Sequence, residues 1–116
     1  MNLESFLTIL NSTPDKIDFN KVITLVDILY TFKPSQFANG SVSNEAGQNS
    51  GSCKVFAFAG LLKLNKIQTL QCFGQYYSEV LSTPEKEDHQ NIRNFMVTGW
   101  EGISFQDVAL VPKNKS

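Results

Sequence analysis

The middle of the chain reads Pro34-Ser35-Gln36-Phe37-Ala38-Asn39-Gly40-Ser41-Val42-Ser43-Asn44-Glu45-Ala46-Gly47-Gln48-Asn49-Ser50-Gly51-Ser52. Within it, Asn39-Gly40 lies between the apolar residues Phe37 and Val42. This pattern is typical of a β-hairpin with a type I′ turn, which needs positive φ at both central residues. The stretch therefore predicts two short antiparallel strands, followed by a loop over residues 47–51.

On both sides of this stretch, apolar residues recur with the 3.6-residue period of amphipathic helices. The pattern predicts five helices, and each has a polar residue suited to cap its start. The first helix covers residues 3–10 and is capped by Asn2, the second runs from the cap Asp18 to Tyr30, and the third begins at Cys53 with Ser52 as its cap. The fourth runs from the capping box Asn65–Gln68 to about Leu81, and Thr83-Pro84 ends it. The fifth begins at the cap Asp88 and ends at Gly99, which is expected to adopt the left-handed conformation. The third is apolar on nearly all sides, so we expect it to be buried.

The end of the chain alternates in hydrophobicity, with Ile103 and Phe105 followed by Val108 and Leu110, which predicts one or two short strands. The predicted strands lie too close together in sequence for parallel crossovers. We therefore predict an α+β fold in which about five helices pack on a small, mostly antiparallel sheet. We expect one domain over residues 1–112 and a frayed tail over residues 113–116.

Composition and charge exclude several functional classes. Ten basic and eleven acidic residues give a net charge of −1 and leave no basic stripe for nucleic acid. No apolar run approaches the ~18 residues of a membrane span, and the amino terminus lacks the basic start of a secretory signal peptide. One His and two Cys do not make a usual zinc site unless carboxylates or a second chain contribute ligands. We therefore expect no nucleic acid, membrane, metal or cofactor, and two free thiols in a reducing compartment.

Several long motifs follow one another along the chain: Phe37-Ala38-Asn39-Gly40, the segment Asn44 to Lys54, Phe73-Gly74-Gln75-Tyr76-Tyr77, the segment Asp88 to Met96, and Gly99-Trp100-Glu101-Gly102-Ile103-Ser104-Phe105. In their order and spacing they resemble the HopJ family of bacterial proteins, named for a type III secretion effector of a plant pathogen. The resemblance spans roughly residues 3–110. It implies a protein of the bacterial cytoplasm, or one delivered into host cells by type III secretion, where a host protein would be its partner. It implies no catalytic residue and no cofactor.

The sharpest candidate for catalysis is Cys53, at the predicted start of a helix. The positive end of the helix dipole and the neighbouring Lys54 are expected to lower the pKa of its thiol, and His89 would be its base. The preceding residues are similar to the nucleophile region of papain-like proteases, but only 36 residues separate Cys53 from His89, far fewer than that fold needs. The alternative is a small, half-buried and inert cysteine.

Further candidates for ligand binding are Asn39, Gln48, Asn49, Arg93 and Trp100. We expect the polar segment 38–52 to lie near the start of the fifth helix, so that all of these except Trp100 surround one cleft with Cys53 and His89. The planar guanidinium of Arg93 suits a phosphate or a carboxylate such as Glu45; the alternative is that Arg93 only holds the 38–52 loop. Trp100 is either an exposed contact residue or a partly buried one with a bonded indole N–H.

Two classes of function remain open at this point. The first is a monomeric interaction or small-ligand-binding module, whose partner is a protein or a small ligand. The alternative is a small thiol-dependent hydrolase or transferase with Cys53 as nucleophile and His89 as base. An exposed apolar patch around Trp100 and Tyr76 would favour the first class, whereas a concave pocket with a low-pKa Cys53 would favour the second.

Overall fold

The computed structural model describes residues 1–113, which contain six α-helices and five short β-strands. The helices are α1 (Leu3–Ser12), α2 (Phe19–Leu29), α3 (Ser50–Leu61), α4 (Lys66–Gln71), α5 (Gln75–Ser82) and α6 (Gln90–Thr98). The strands are β1 (Tyr30–Phe32), β2 (Phe37–Asn39), β3 (Val42–Asn44), β4 (Ile103–Phe105) and β5 (Leu110–Pro112). The predicted α+β class is confirmed. Within the described range, the helices are all too short or too polar to cross a membrane.

Four of the strands form one antiparallel ribbon that is interrupted in its middle. β1 pairs with β5, where Tyr30 lies opposite Pro112, and β2 pairs with β4, where Phe37 lies opposite Phe105. Tyr30 and Phe37 are seven positions apart in the chain, and so are Phe105 and Pro112, so the two pairings have the same register. Pro34 lies in the interruption, where a residue without an N–H group cannot complete the ladder. Helix α3 packs on β5, and α6 packs on β2.

The predicted hairpin is present, but its turn lies one residue further along the chain. β3 pairs with β2 so that Asn39 is opposite Val42, which leaves Gly40 and Ser41 as the loop. Only Gly40 of these two has positive φ, at 60°. This matches a type II′ turn, and the predicted type I′ turn at Asn39-Gly40 is wrong. The physical reason is that Asn39 is a fully buried strand residue, held by hydrogen bonds to α6.

The core is aromatic, and Phe56 of α3 lies at its centre. Its ring packs against those of Phe37, Phe73, Phe95 and Trp100, at centroid distances of 5.0–6.4 Å. These rings come from β2, the α4–α5 turn, α6 and the turn after α6. The prediction that the third helix is buried is therefore confirmed. Full burial of one such ring contributes roughly 1.5–3 kcal/mol to stability.

The predicted fourth helix is divided into α4 and α5 by a turn at residues 72–74, so the prediction of one helix to Leu81 is wrong. Gly74 has φ 55° and ψ −125°, which no α-helix contains. A Cβ at this position would lie 2.7 Å from Ile17 O and Phe19 N, so the backbone at the beginning of α2 approaches too closely for any side chain. The predicted helix end before Thr83-Pro84 is confirmed.

Three of the predicted helix caps are confirmed. The side chains of Asn2, Asp18 and Asn65 each accept a hydrogen bond from a backbone N–H in the first turn, which satisfies a group that has no partner within the helix. α2 ends one residue earlier than predicted, because Tyr30 already belongs to β1. α6 ends before Gly99 as predicted, but Gly99 combines φ 61° with ψ −154° and is not in the left-handed helical conformation.

The prediction for the C-terminal strands is confirmed in part. β4 contains Ile103 and Phe105, whereas Val108 lies in the exposed connection between β4 and β5. Lys113, the first residue of the predicted tail, donates its backbone N–H to Leu29 O at 3.0 Å. The rest of that prediction, residues 114–116, lies outside the described residues.

Candidate functional site

A cavity of about 400 Å³ opens where the beginnings of α3 and α6 approach each other. First-turn residues of the two helices form one side, and aromatic rings near the beginnings of α2 and α5 form the other. Its lining residues are Phe19, Val42, Asn49, Gly51, Ser52, Phe73, Tyr76, His89, Gln90, Asn91 and Ile92. The prediction that the polar segment 38–52 lies near the start of the last helix is confirmed.

Both helices begin at the cavity without a side-chain cap. The residues before them, Asn49 and His89, are left-handed with φ 50°, and neither side chain makes a capping hydrogen bond. The predicted caps Ser52 and Asp88 are therefore wrong. Over residues 1–113, the backbone N–H groups of the two first turns, at 50–52 and 90–92, find no acceptor. The cavity thus faces the positive ends of two helix dipoles.

Behind the cavity wall, four asparagine side chains form a hydrogen-bond network. Asn91 Oδ1 accepts from Asn39 Nδ2 at 3.0 Å and from Asn44 Nδ2 at 3.2 Å. Asn91 Nδ2 and Asn49 Nδ2 both donate to Asn44 Oδ1, at 2.9 and 2.7 Å. Because Asn39 and Asn44 are completely buried, these bonds are shielded from water. The network ties the β2–β3 hairpin to α6 and so helps to fix the distance between the two helix beginnings.

His89 lies at the edge of the cavity beside two carboxylates. Its Nε2 is 3.3 Å from Glu79 Oε1 on α5 and 3.9 Å from Asp88 Oδ2. Its ring packs against Tyr76 with a centroid distance of 5.5 Å. The imidazole therefore lies beside an aromatic ring and two carboxylates, and His89 also lines the cavity.

Arg93 binds the α5–α6 connection and not the 38–52 loop. Its Nη2 donates to Asp88 Oδ1 at 2.8 Å and to Thr83 Oγ1 at 3.2 Å, and its Nε donates to the Asp88 carbonyl at 2.6 Å. The side-chain hydrogen bond from Arg93 is the main cause of a lowered pKa at the Asp88 carboxyl. The expected contact with Glu45 is absent among the described residues, because Asp88 is adjacent in the fold and takes the guanidinium.

Cys53 lies in the core and does not line the cavity. Its side chain is 2 % exposed, and its Sγ is 3.8 Å from Ser35 O. Burial raises the pKa of the thiol, and this effect exceeds those of the backbone hydrogen bond and of the charge on Lys54. The predicted lowering of the pKa is therefore wrong. Cys53 and His89 have separate partners, and the structure does not bring them together.

We expect both thiols of the folded protein to react slowly with iodoacetamide at neutral pH. Burial raises the pKa of Cys53, and it raises the pKa of Cys72 to about 12, so the reactive thiolate is scarce until the pH becomes alkaline. His89→Ala should leave the rate at Cys53 unchanged. Alkylation followed by mass spectrometry, from neutral to alkaline pH, measures the reaction rates of Cys53 and Cys72. Fast reaction of Cys53 at neutral pH that depends on His89 would contradict this expectation and support the thiol-dependent enzyme.

The two remaining candidates lie outside the cavity. Gln48 is exposed, and its Oε1 accepts the Glu45 N–H at 3.0 Å, which shapes the loop. Trp100 is partly buried and donates its indole N–H to Leu64 O at 2.9 Å, as the second interpretation of this residue predicted. Its ring borders a second, more apolar cavity of about 590 Å³ between α3 and the β4–β5 connection.

Three residues of this region were missed by sequence reasoning, namely Asn44, Asn91 and Glu79. For Asn91 a signal was available, because it lies four residues before Phe95 and so shares the core-facing side of the helix. A polar residue on an apolar stripe indicates a buried hydrogen bond. No comparable local signal marks Glu79, whose partner His89 belongs to another element.

Comparisons with known proteins give a family and a fold but no activity. A family model described as HopJ type III effector protein matches residues 3–110. The crystal structure of a protein of unknown function, VPA0580, is similar with a TM-score of 0.95 and 52% sequence identity, covering 97% of this chain and 95% of that one. No curated protein matches the chain.

Proposed function

We propose that this chain, which belongs to the HopJ type III effector protein family, is a small-ligand-binding module that uses the cavity between the beginnings of α3 and α6. The cavity itself carries the proposal. Its volume of about 400 Å³ falls within the range of small-molecule sites. Free backbone donors on one side and aromatic rings on the other suit a compact molecule with one polar and one flat apolar end.

The polar end of the ligand is best matched by an anionic group, such as a carboxylate or a phosphate. First-turn residues of both helices line the same space, and their backbone N–H groups have no acceptor within residues 1–113; Ser52 and His89 add a hydroxyl and an imidazole to the lining residues. None of the lining residues is acidic. Helix beginnings favour negative charge because of their free N–H groups and dipoles.

The aromatic side gives the apolar end of the ligand a flat surface. Phe19 stacks on Phe73 with a centroid distance of 6.1 Å, and Tyr76 meets Phe19 edge to face at 5.1 Å. Phe19 belongs to α2, whereas Phe73 and Tyr76 lie at the junction of α4 and α5, so the surface is built from two segments of the chain and does not depend on one loop. An aromatic or short aliphatic portion fits such a surface.

The thiol-dependent enzyme has weaker support, since Cys53 is buried, has a raised pKa and lies outside the cavity. Family membership supports a role connected with type III secretion. We place the module in the bacterial cytoplasm, with delivery into a host cell as the route by which it would meet a host partner.

Phenyl phosphate is a suitable probe because it joins an anion to an aromatic ring. We expect saturable shifts of the backbone amide signals of Gly51, Ser52, Asn91 and Ile92 when it is titrated into ¹⁵N-labelled protein. Ser52→Asp should weaken binding at least about tenfold, because its carboxylate occupies the positive end of α3 and repels the probe. The same variant should stay folded, since an acidic residue in a first turn stabilises a helix by about 0.5 kcal/mol.

Ser104→Asp provides the matched control, because it adds the same charge on β4, outside the cavity. This variant should bind phenyl phosphate like the wild type, and the neutral benzyl alcohol should bind the wild type more weakly than phenyl phosphate does. Equal weakening by both substitutions, or shifts confined to other amides, would contradict the proposal.

A further inference from the structure

Three side chains that can ligate a metal ion meet beside the cavity. Glu79 belongs to α5, and Asp88 and His89 belong to the connection before α6. The His89 Nε2 is 3.3 Å from Glu79 Oε1 and 3.9 Å from Asp88 Oδ2, and one ligand atom from each of the three lies within 4.8 Å of the others. No other trio of His, Cys, Asp or Glu side chains converges in this way in the described part of the chain.

We propose that Glu79, Asp88 and His89 bind a divalent transition-metal ion, for which Zn²⁺ is the representative. One imidazole nitrogen and two carboxylate oxygens are donors that suit this ion. Three protein ligands leave a coordination position open for water or for an anionic ligand. Glu79 and Asp88 are exposed, so an ion reaches the site without any opening of the fold.

The contacts around the trio hold its ligands in place. Arg93, whose side chain is 15 % exposed, donates to both the carboxylate Oδ1 and the carbonyl of Asp88, which leaves Oδ2 on the side of His89. The positive charge of Arg93 repels a nearby cation, but this charge is already paired directly with Asp88 Oδ1 at 2.8 Å. The His89 ring rests against Tyr76. Supporting contacts of this kind orient metal ligands and strengthen binding.

The position of the trio connects it to the cavity, because His89 also lines that space. An ion bound here would add positive charge at the end where we place the anionic group. The metal site does not rest on the proposed ligand-binding function, since metal binding is measured without any small ligand. A failure of zinc binding and a failure of phenyl phosphate binding are therefore separate results.

His89 is the single histidine of the chain, so its imidazole C–H signals in ¹H NMR report on the site directly in protein without a polyhistidine tag. We expect these signals to shift in a saturable manner on addition of zinc chloride, with one ion per chain by isothermal titration calorimetry. Glu79→Gln and Asp88→Asn should each weaken zinc binding at least about tenfold. Magnesium chloride should leave the imidazole signals in place, because Mg²⁺ prefers oxygen ligands.

The matched control is Glu85→Gln, which removes an exposed carboxylate of the same connection outside the trio and should bind zinc like the wild type. Imidazole signals that do not move at saturating zinc would overturn the proposal, as would zinc binding that survives both ligand substitutions or disappears only when the thiols are blocked. Asp88→Asn also removes the negative charge that pairs with Arg93. If Asp88→Asn does not fold, Glu79→Gln keeps the test decisive, because within residues 1–113 the Glu79 carboxylate makes a hydrogen bond or ion pair with His89 alone.

Discussion

Replacing Gly74 with alanine is expected to lower the free energy of unfolding by about 3 kcal/mol or more. Gly74 has φ 55°, and a Cβ there would lie 2.7 Å from both Ile17 O and Phe19 N. These are backbone atoms, so they cannot move aside unless the whole α1–α2 connection shifts. The loss therefore combines the strain of a positive φ with overpacking. Urea unfolding followed by circular dichroism should show a lower midpoint with an unchanged slope.

Gly47→Ala separates these two contributions. Gly47 also has a positive φ, of 88°, but no atom lies within 4 Å of a Cβ placed there. Only the backbone strain remains, and we expect a loss of about 1 kcal/mol. Equal losses for the two variants would show that the close approach at Gly74 does not contribute, which would contradict the packing explanation.

The contact at Gly74 also explains why the sequence predicts five helices where the structure has six. Leu70, Phe73 and Tyr77 continue one helical stripe across the break, so periodicity gives no sign of it. The break depends on the approach of Ile17 and Phe19, which are distant in sequence. Tertiary contact here overrides a local preference for helix.

Some features whose partners lie nearby in sequence were predicted well, whereas the local predictions of the caps Ser52 and Asp88 and of the type I′ turn were wrong. The predicted cap Asn2 and the predicted capping box at Asn65 each depend on a residue three positions away. The ribbon is the opposite case, since Tyr30 pairs with Pro112 at the other end of the chain. Without that partner, Tyr30 is indistinguishable from the last residue of the helical stripe before it.

The predictions for the candidate site are also partly confirmed and partly wrong. Asn49 and His89 were identified as polar residues that local structure does not require, and both line the cavity. The pKa of Cys53 was predicted wrongly because α3 begins at Ser50, three residues earlier than expected. Cys53 therefore lies beyond the free first turn, and its N–H already bonds to Asn49 O at 3.0 Å. With little influence from the helix end, burial determines its pKa.

Asn91→Leu is expected to destabilise the protein by about 3 kcal/mol, a loss comparable with that at Gly74. The substitution removes three side-chain hydrogen bonds, two made with Asn44 and one with Asn39. Both partners are completely buried, and their groups keep other hydrogen bonds, Asn39 Nδ2 to Asn91 O, Asn44 Nδ2 to Phe37 O and Asn44 Oδ1 from Asn49 Nδ2. The loss is therefore that of three buried hydrogen bonds, at roughly 1 kcal/mol each. Hydrogen exchange should also show faster opening of the β2–β3 hairpin, because the network is what ties its asparagines to α6.

Asn94→Leu is the matched control on the same helix. The Nδ2 of Asn94 is buried without a hydrogen-bond partner among the described residues, so the substitution removes an unpaired polar group and leaves none behind. Leucine also has a higher helix propensity than asparagine. We expect this variant to be as stable as the wild type or slightly more stable in the same urea unfolding experiment. If Asn91→Leu and Asn94→Leu lose similar stability, the loss reflects the introduction of leucine on this face of α6, which would contradict the prediction. A loss of stability confined to Asn91→Leu is explained by the asparagine network behind the cavity.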